Sequence, residues 1–176
     1  LFYMGNIRAG ERVLVHAAAG GVGLAAIELA KIGGAEIYGT ASRSKFEFLR
    51  QRGVRYLIDY RTQDFEAEVR CLTGDEGVDI VLDAVGGESF AKSYRLLRPA
   101  GRLMVFGFST AVSGPKRSYL RAGLSFVRTP KFHPLRMIGE NRAVLGVHLG
   151  RLRPEILRQE FAALFRYFAE GRIQPY

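Results

Sequence analysis

The run Ala18-Ala19-Gly20-Gly21-Val22-Gly23 fits the spacing G-x-G-x-x-G, with Ala18 in the first glycine's place and Gly20 and Gly23 in the other two. Without a side chain at Gly20, the backbone can come close to a pyrophosphate; without one at Gly23, a following helix can pack tightly on the preceding strand. The first N–H groups of such a helix have no partner inside it and, with the helix dipole, face bound phosphates. By itself a glycine-rich hexapeptide is only turn chemistry. Between a strand and a helix it predicts a phosphate cradle.

The residues some 20 positions further on decide which dinucleotide would suit it. A binder of the unphosphorylated nucleotide places Asp or Glu there to receive the ribose 2′-hydroxyl. Here the stretch reads Gly39-Thr40-Ala41-Ser42-Arg43-Ser44-Lys45, and no carboxylate appears before Glu47. Serine hydroxyls and the cations Arg43 and Lys45 suit a 2′-phosphate carrying about two negative charges. The pattern predicts NADPH; solvation of a surface turn is the plainer alternative. It also weakens an S-adenosylmethionine methyltransferase reading, since that class generally wants an acid at the same place.

These groups need elements to hold them. Val13–Ala17 is a short buried-strand run, and apolar residues then recur at helical spacing from Gly21 to Ile32, stopped by Gly33-Gly34. Ile37–Thr40 predicts a second strand, and Ser44–Arg52 a second helix capped by Ser44. Tyr56–Ile58 predicts a third strand, followed by a helix that Asp64 caps and that carries Phe65, Val69 and Leu72. Val78–Val85 is apolar enough for a strand covered on both faces. Ser89–Leu97 predicts a helix stopped by Pro99 and Gly101. Leu103–Phe106 and Ala143–Val147 predict the fifth and sixth strands, and Pro154 opens a helix that Gly171 ends. Between them, 113–140 reads as an excursion broken by prolines, with one short helix near Ser118–Val127. Strand–helix alternation of this kind requires parallel strands joined by right-handed crossovers. The expected fold is one α/β domain over 1–176: a doubly wound Rossmann fold, six-stranded, in the order 3-2-1-4-5-6, with helices on both faces.

Composition narrows the class. With 176 residues, 48% of them hydrophobic, one domain with a continuous core is expected. No apolar run reaches the roughly 20 residues that span a bilayer, and Leu1 opens no recognisable signal peptide. The missing initiator Met and the end at Gln174-Pro175-Tyr176 suggest a fragment. The net charge is +9, but it is concentrated: no acidic residue lies between Pro99 and Gly139, where Arg102, Lys116, Arg117, Arg121, Arg128, Lys131 and Arg136 all fall. Neither a helix-turn-helix nor a stacking platform accompanies that charge, so no nucleic-acid partner is expected. The single cysteine, Cys71, excludes an internal disulfide and reads as a small buried residue rather than a nucleophile. Cysteine poverty points to a reducing, cytoplasmic setting.

The run from Gly10 to Gly23 resembles the cofactor domain of the zinc-independent medium-chain reductases: quinone oxidoreductase, zeta-crystallin and enoyl reductases. The likeness continues through Ile58-Asp59-Tyr60-Arg61, Gly77–Asp83, Val85-Gly86-Gly87, Leu97–Arg102 and Phe106-Gly107. Gly114–Arg117 and Asn141–Gly150 look like the VAT-1 branch, named for a synaptic-vesicle membrane protein. The resemblance implies that Gly20, Gly21, Val22 and Gly23 hold the pyrophosphate, and that Ser42, Lys45 and Arg43 meet the 2′-phosphate. It implies Tyr60 at the adenosine end, Val85 and Gly86 beside the riboses, Gly107, Phe108 and Ser109 beside the nicotinamide, and Val147 and His148 flanking the ring. It also implies hydride transfer from NADPH to a quinone or an α,β-unsaturated carbonyl acceptor, with no catalytic residue and no metal in this domain, and a GroES-like domain preceding Leu1.

Other residues have plainer readings. Tyr60 is open between adenine contact and packing. His16 reads as a satisfied core residue and Asp83 as a strand-end hydrogen-bonding group, while His148 is a candidate for a polar role near substrate. The aromatic stripe Phe161, Phe165, Tyr167 and Phe168 reads as core or interface. An apolar last strand at the sheet edge predicts a homodimer through Ala143–Val147. The competing functional reading is a membrane-surface or interaction protein that keeps cofactor binding without turnover. It rests on the VAT-1 likeness and on Phe126, Phe132 and Leu135 among the cations of 116–136.

Overall fold

The computed structural model describes residues 1–107 and 129–173. Its strands are β1 (Arg12–Val15), β2 (Glu36–Ala41), β3 (Tyr56–Asp59), β4 (Val78–Asp83), β5 (Leu97–Val105) and β6 (Ala143–Gly146). Its helices are α1 (Gly21–Ile32), α2 (Phe46–Gln51), α3 (Phe65–Thr73), α4 (Glu88–Arg95), α5 (Pro134–Glu140) and α6 (Pro154–Ala169). All strand pairs are parallel, in one six-stranded sheet of order β3-β2-β1-β4-β5-β6. The expected Rossmann architecture is the one observed.

Alternating side chains of each strand enter opposite layers, as the period of two requires. Val13, Val15, Ile37, Ile80, Leu82 and Met104 pack with Leu24, Ile27 and Ala30 of α1 and Phe46 and Leu49 of α2. Leu14, Tyr38, Val81 and Leu103 pack on the other face with Val69 of α3 and Phe90 and Tyr94 of α4. The helices therefore cover both faces. At the opposite end from the glycine turn, the Arg102 guanidinium donates to both Glu11 carboxylate oxygens, at 2.8 and 2.7 Å, and to the Asn6 carbonyl. That fork ties the N-terminal segment to β5.

Several local expectations are corrected. Ser44 does not cap α2: 43–45 forms a single 3-10 turn, and α2 starts at Phe46 without any side-chain cap. α4 ends at Arg95, and Pro99 lies inside β5 instead of stopping a helix. Val78 pairs with Leu97 while Ile80 pairs with Arg102, so β5 bulges there, with Ala100 left-handed at φ 66°. A bulge is where a strand tolerates proline. Pro134, read as an interruption, opens α5: it sits in the first turn, and the His133 imidazole accepts from the Leu135 N–H. Its missing N–H costs nothing there, since that donor has no intrahelical partner. The Ser118–Val127 helix lies outside the described residues.

Cys71 is exposed, against the buried reading. Val69 is the buried residue of that turn of α3, and Cys71, two positions on, points about 200° around the helix from it. Of the aromatic stripe, Tyr167 is half-buried, its ring 6.1 Å from that of Phe2, and the three phenylalanines are not core. Phe161, Phe165 and Phe168 are 54%, 71% and 54% exposed, and the buried residue of α6 is Ile156.

Candidate functional site

Because every strand is parallel, the segments after the strands meet at one edge of the sheet. The chain runs outward from β1 to β3 on one side and from β4 to β6 on the other, so a crevice opens where the order reverses, between β1 and β4. The sequence-predicted residues that lie within the described regions follow the carboxyl ends of the strands. Phe108 and Ser109 lie outside the described residues.

At the centre, Ala17 leaves β1 in the left-handed conformation, φ 50°. Its N–H donates to Thr40 Oγ1 (3.3 Å), the Ala18 N–H donates to the Thr40 carbonyl (3.0 Å), and the Gly20 N–H closes the turn on the Ala17 carbonyl (2.8 Å). Helix α1 then starts with no capping side chain and no acid in its first turn. The N–H groups of Gly21, Val22 and Gly23 therefore have no intrahelical acceptor. Gly20 and Gly21 are exposed, Val22 is 62% exposed, and a Cβ on Gly21 would meet open space. Gly23 is the opposite case: a Cβ there would lie 2.5 Å from the Ala17 carbonyl oxygen. One glycine keeps the helix close, and its neighbours leave the N–H cradle open. These residues fit a diphosphate.

After β2, Ser42 Oγ lies 3.3 Å from Ser44 Oγ, and Arg43, Ser44 and Lys45 are exposed. The Arg43 guanidinium stacks over the Phe46 ring at 5.2 Å. Among the described residues no carboxylate pairs with Arg43 or Lys45. Glu47, the first acid in the sequence beyond this turn, accepts from Gln51 (3.2 Å). Asp59 is buried at the end of β3, where it accepts the Arg61 N–H (3.1 Å) and shapes its own turn. Tyr60, beside it, is 55% exposed with Arg61 near its ring.

After β4, Asp83 is fully buried. Its Oδ1 accepts the Val85 N–H (2.7 Å), and its Oδ2 accepts the Ser89 and Ser93 hydroxyls (2.7 and 2.8 Å). That carboxylate fixes the Val85-Gly86 turn, with Gly86 at φ 90°. Gly107, after β5, is exposed, and a Cβ on it would lie 3.1 Å from the Ala84 Cβ. After β6, the Val147 N–H still bonds the Val105 carbonyl (2.8 Å), while His148 is exposed.

His16 is buried behind the glycine turn. Its Nδ1 lies 3.1 Å from Thr40 Oγ1 and its Nε2 3.0 Å from Ser93 Oγ, with Asp83 Oδ2 at 3.8 Å. Its ring also meets Phe65 edge-on. Burial pushes its pKa down, the Asp83 charge opposes, and the net shift leaves it neutral at pH 7. Thr40 and Ser93 escape sequence reasoning. The one available signal is a hydroxyl in each of two otherwise buried element faces.

The sequence profile of the zinc-binding dehydrogenases matches residues 21–170. The chain belongs to that family. It is the cofactor-binding part of a medium-chain dehydrogenase/reductase, of a kind whose cofactor is a nicotinamide nucleotide. It is 41% identical, over 99% of its length, to the synaptic vesicle membrane protein VAT-1 of Tetronarce californica, covering 46% of that protein. It is 39% identical to the human VAT-1 homolog, covering all of this chain and 45% of that one. The chain thus spans about half the length of the curated relatives it matches. Among solved structures, the CurK enoyl reductase superposes with a TM-score of 0.80 at 31% identity, covering 100% of this chain and 48% of that one. The nucleotide-binding subdomain of the enoylreductase domain of PpsC from Mycobacterium tuberculosis gives 0.78 at 32%, covering 97% and 88%. Despite the family's description, no group of three His, Cys, Asp or Glu among the described residues could hold a metal ion.

Proposed function

We propose that this chain binds NADPH and forms the cofactor-holding half of a reductase for quinones or α,β-unsaturated carbonyl compounds. The observation that carries the reading is the turn after β2: hydroxyls at Ser42 and Ser44, cations at Arg43 and Lys45 without carboxylate partners among the described residues, and no acid at the strand's end. An NADH site would place a carboxylate where Ser42 stands. Gly20, Gly21, Val22 and Gly23 would hold the diphosphate on backbone N–H groups, and Ser42, Arg43 and Lys45 the 2′-phosphate. Tyr60 would flank the adenosine, Val85 and Gly86 the riboses, and Gly107, Phe108, Ser109, Val147 and His148 the nicotinamide end.

When bound, reduced nicotinamide supplies a hydride to an electron-poor acceptor. The residues of this chain align and desolvate it. The reaction in this proposal needs neither a metal nor a catalytic side chain from this part. Isothermal calorimetry should show NADPH binding at least tenfold more tightly than NADH. NADPH oxidation by the full-length protein with a simple quinone and a simple enone tests the turnover; inactivity with both would remove the reductase reading.

The same reading includes a homodimer. β6 is an edge strand, and Leu135 and Ile138 on the helix before it are 71% and 74% exposed. Pairing two β6 edges would satisfy their free backbone groups and cover that apolar surface. A cytoplasmic location completes the proposal, and cell fractionation tests it.

A second reading has its own motive. Relatives carry the name of a vesicle membrane protein. Of the apolar residues that motivate it, Leu135 is exposed, with Ile138, near Lys131 and Arg136, whereas Phe132 packs on Tyr94 (5.1 Å) and Phe126 lies outside the described residues. No helix among the described residues is long and apolar enough to cross a membrane, so this reading concerns the surface of a bilayer. Sedimentation with anionic and neutral vesicles separates it: failure to bind either at low salt ends it.

A further inference from the structure

Behind the glycine turn lies a chain of buried polar groups whose direction follows from donor counting. Ser93 has one hydroxyl proton, and it goes to Asp83 Oδ2 (2.8 Å). Toward His16 Nε2, 3.0 Å away, Ser93 Oγ can then only accept. Nε2 must carry the imidazole proton, which leaves Nδ1 of the neutral ring as an acceptor. The partner of Nδ1 is Thr40 Oγ1 at 3.1 Å, so the Thr40 hydroxyl donates there. The lone pairs of Thr40 Oγ1 remain to accept the Ala17 N–H (3.3 Å). The sequence is unbroken: Ala17 N–H to Thr40, Thr40 to His16, His16 to Ser93, Ser93 to Asp83.

The two ends of this chain are both at the crevice. Asp83 sets the Val85-Gly86 turn through Oδ1, and Ala17 is the left-handed residue from which the Gly20–Gly23 cradle springs. His16, Thr40, Ser93 and Asp83 are each 3% exposed or less, so water offers none of them a substitute partner. Directional hydrogen bonds in such a setting hold geometry tightly, and one broken link leaves a buried group unpaired.

We infer that His16 and Thr40 are positioning residues for the dinucleotide: as a fixed-tautomer relay they hold the diphosphate turn in register with the turn after β4. The inference rests on the proposed NADPH site. Neither residue touches cofactor; both act through the Ala17 N–H.

The test compares Thr40→Val, which keeps the shape and removes the hydroxyl, with Thr40→Ser, which keeps the hydroxyl. Both are checked for folding by circular dichroism and then titrated with NADPH and with 2′-AMP, which lacks the diphosphate. In Thr40→Val, NADPH affinity should fall roughly tenfold, the loss expected of one buried acceptor, His16 Nδ1, left without its donor, while 2′-AMP affinity is unchanged. Thr40→Ser should recover NADPH affinity to within about twofold. Imidazole 15N shifts of the wild-type chain should report His16 protonated at Nε2. A folded Thr40→Val that binds NADPH like wild type overturns the inference and leaves the proposed function standing. So does an Nδ1-protonated ring. If Thr40→Val does not fold, the ring tautomer and the Ser93→Ala variant, with the same tenfold loss expected, decide. Wild type binding neither nucleotide overturns both; wild type favouring NADH overturns only the NADPH assignment, and the same variants are then read with NADH.

Discussion

Gly23 lies so close to Ala17 that a Cβ added to it would stand 2.5 Å from the Ala17 carbonyl oxygen and 2.8 Å from the Ala18 Cα. Both obstacles are backbone, which cannot swing aside as a side chain could. Gly23→Ala should therefore push α1 off the turn, costing on the order of 2–3 kcal/mol of stability and more than tenfold in NADPH affinity. Gly21→Ala, built into open space, should change stability by less than about 1 kcal/mol, since alanine suits a helix better than glycine. Chemical denaturation of the two variants side by side checks the contrast.

Arg43 and Lys45 should divide NADPH from NADH. Removing either to alanine should weaken NADPH binding about tenfold, the scale of a charge-assisted hydrogen bond to phosphate, and leave NADH binding unchanged. The NADPH term should also weaken with added salt, because these side chains are exposed and screened. Calorimetry at two ionic strengths reads both effects.

The buried imidazole predicts a pH dependence. Burial holds the His16 pKa below its ordinary 6.5. The unfolded chain therefore takes up a proton that the folded one refuses. Stability is full above pH 6.5 and declines as pH falls below it, with a slope of at most about 1.4 kcal/mol per pH unit from this residue. The groups that surround the ring are Thr40 on β2, Asp83 on β4, Ser93 on α4 and Phe65 on α3; of these, only Asp83 carries charge. His16→Gln should flatten the decline between pH 6.5 and 5 in urea melts. An equally steep decline in the variant would show that another group causes it.

If β6 pairs with a second copy, Leu135 and Ile138 are covered in the assembly. Leu135→Glu with Ile138→Glu should then convert dimer to monomer in sedimentation velocity without altering the circular dichroism spectrum. These side chains are exposed in the single chain, so the fold has no stake in them. A wild-type chain that is monomeric at high concentration would remove the dimer proposal.

Much of this was legible in the residues alone. The period-two and period-3.6 apolar patterns, punctuated by glycines, specify which segments are strands and which are helices, because burial on one or both faces imposes that period locally. Parallel connections then leave few topologies open, and the observed strand order is the expected one. The cradle at Gly20–Gly23 and the acid-free turn at 42–45 are local too, since each depends on neighbouring residues and the element ends they lie on. What only the tertiary structure decided is which face each residue turns to the core and which partner it meets. Pro134 starts a helix where the sequence suggests a break, because its place relative to His133 matters more than its identity. Cys71 faces outward because Val69 has claimed the core side of α3. Above all, His16 gains its meaning from Thr40, 24 residues away, and Ser93, 77 residues away. Hydrogen bonds of that span have no signature in a local pattern: folding alone brings their donors and acceptors within 3 Å or so of each other.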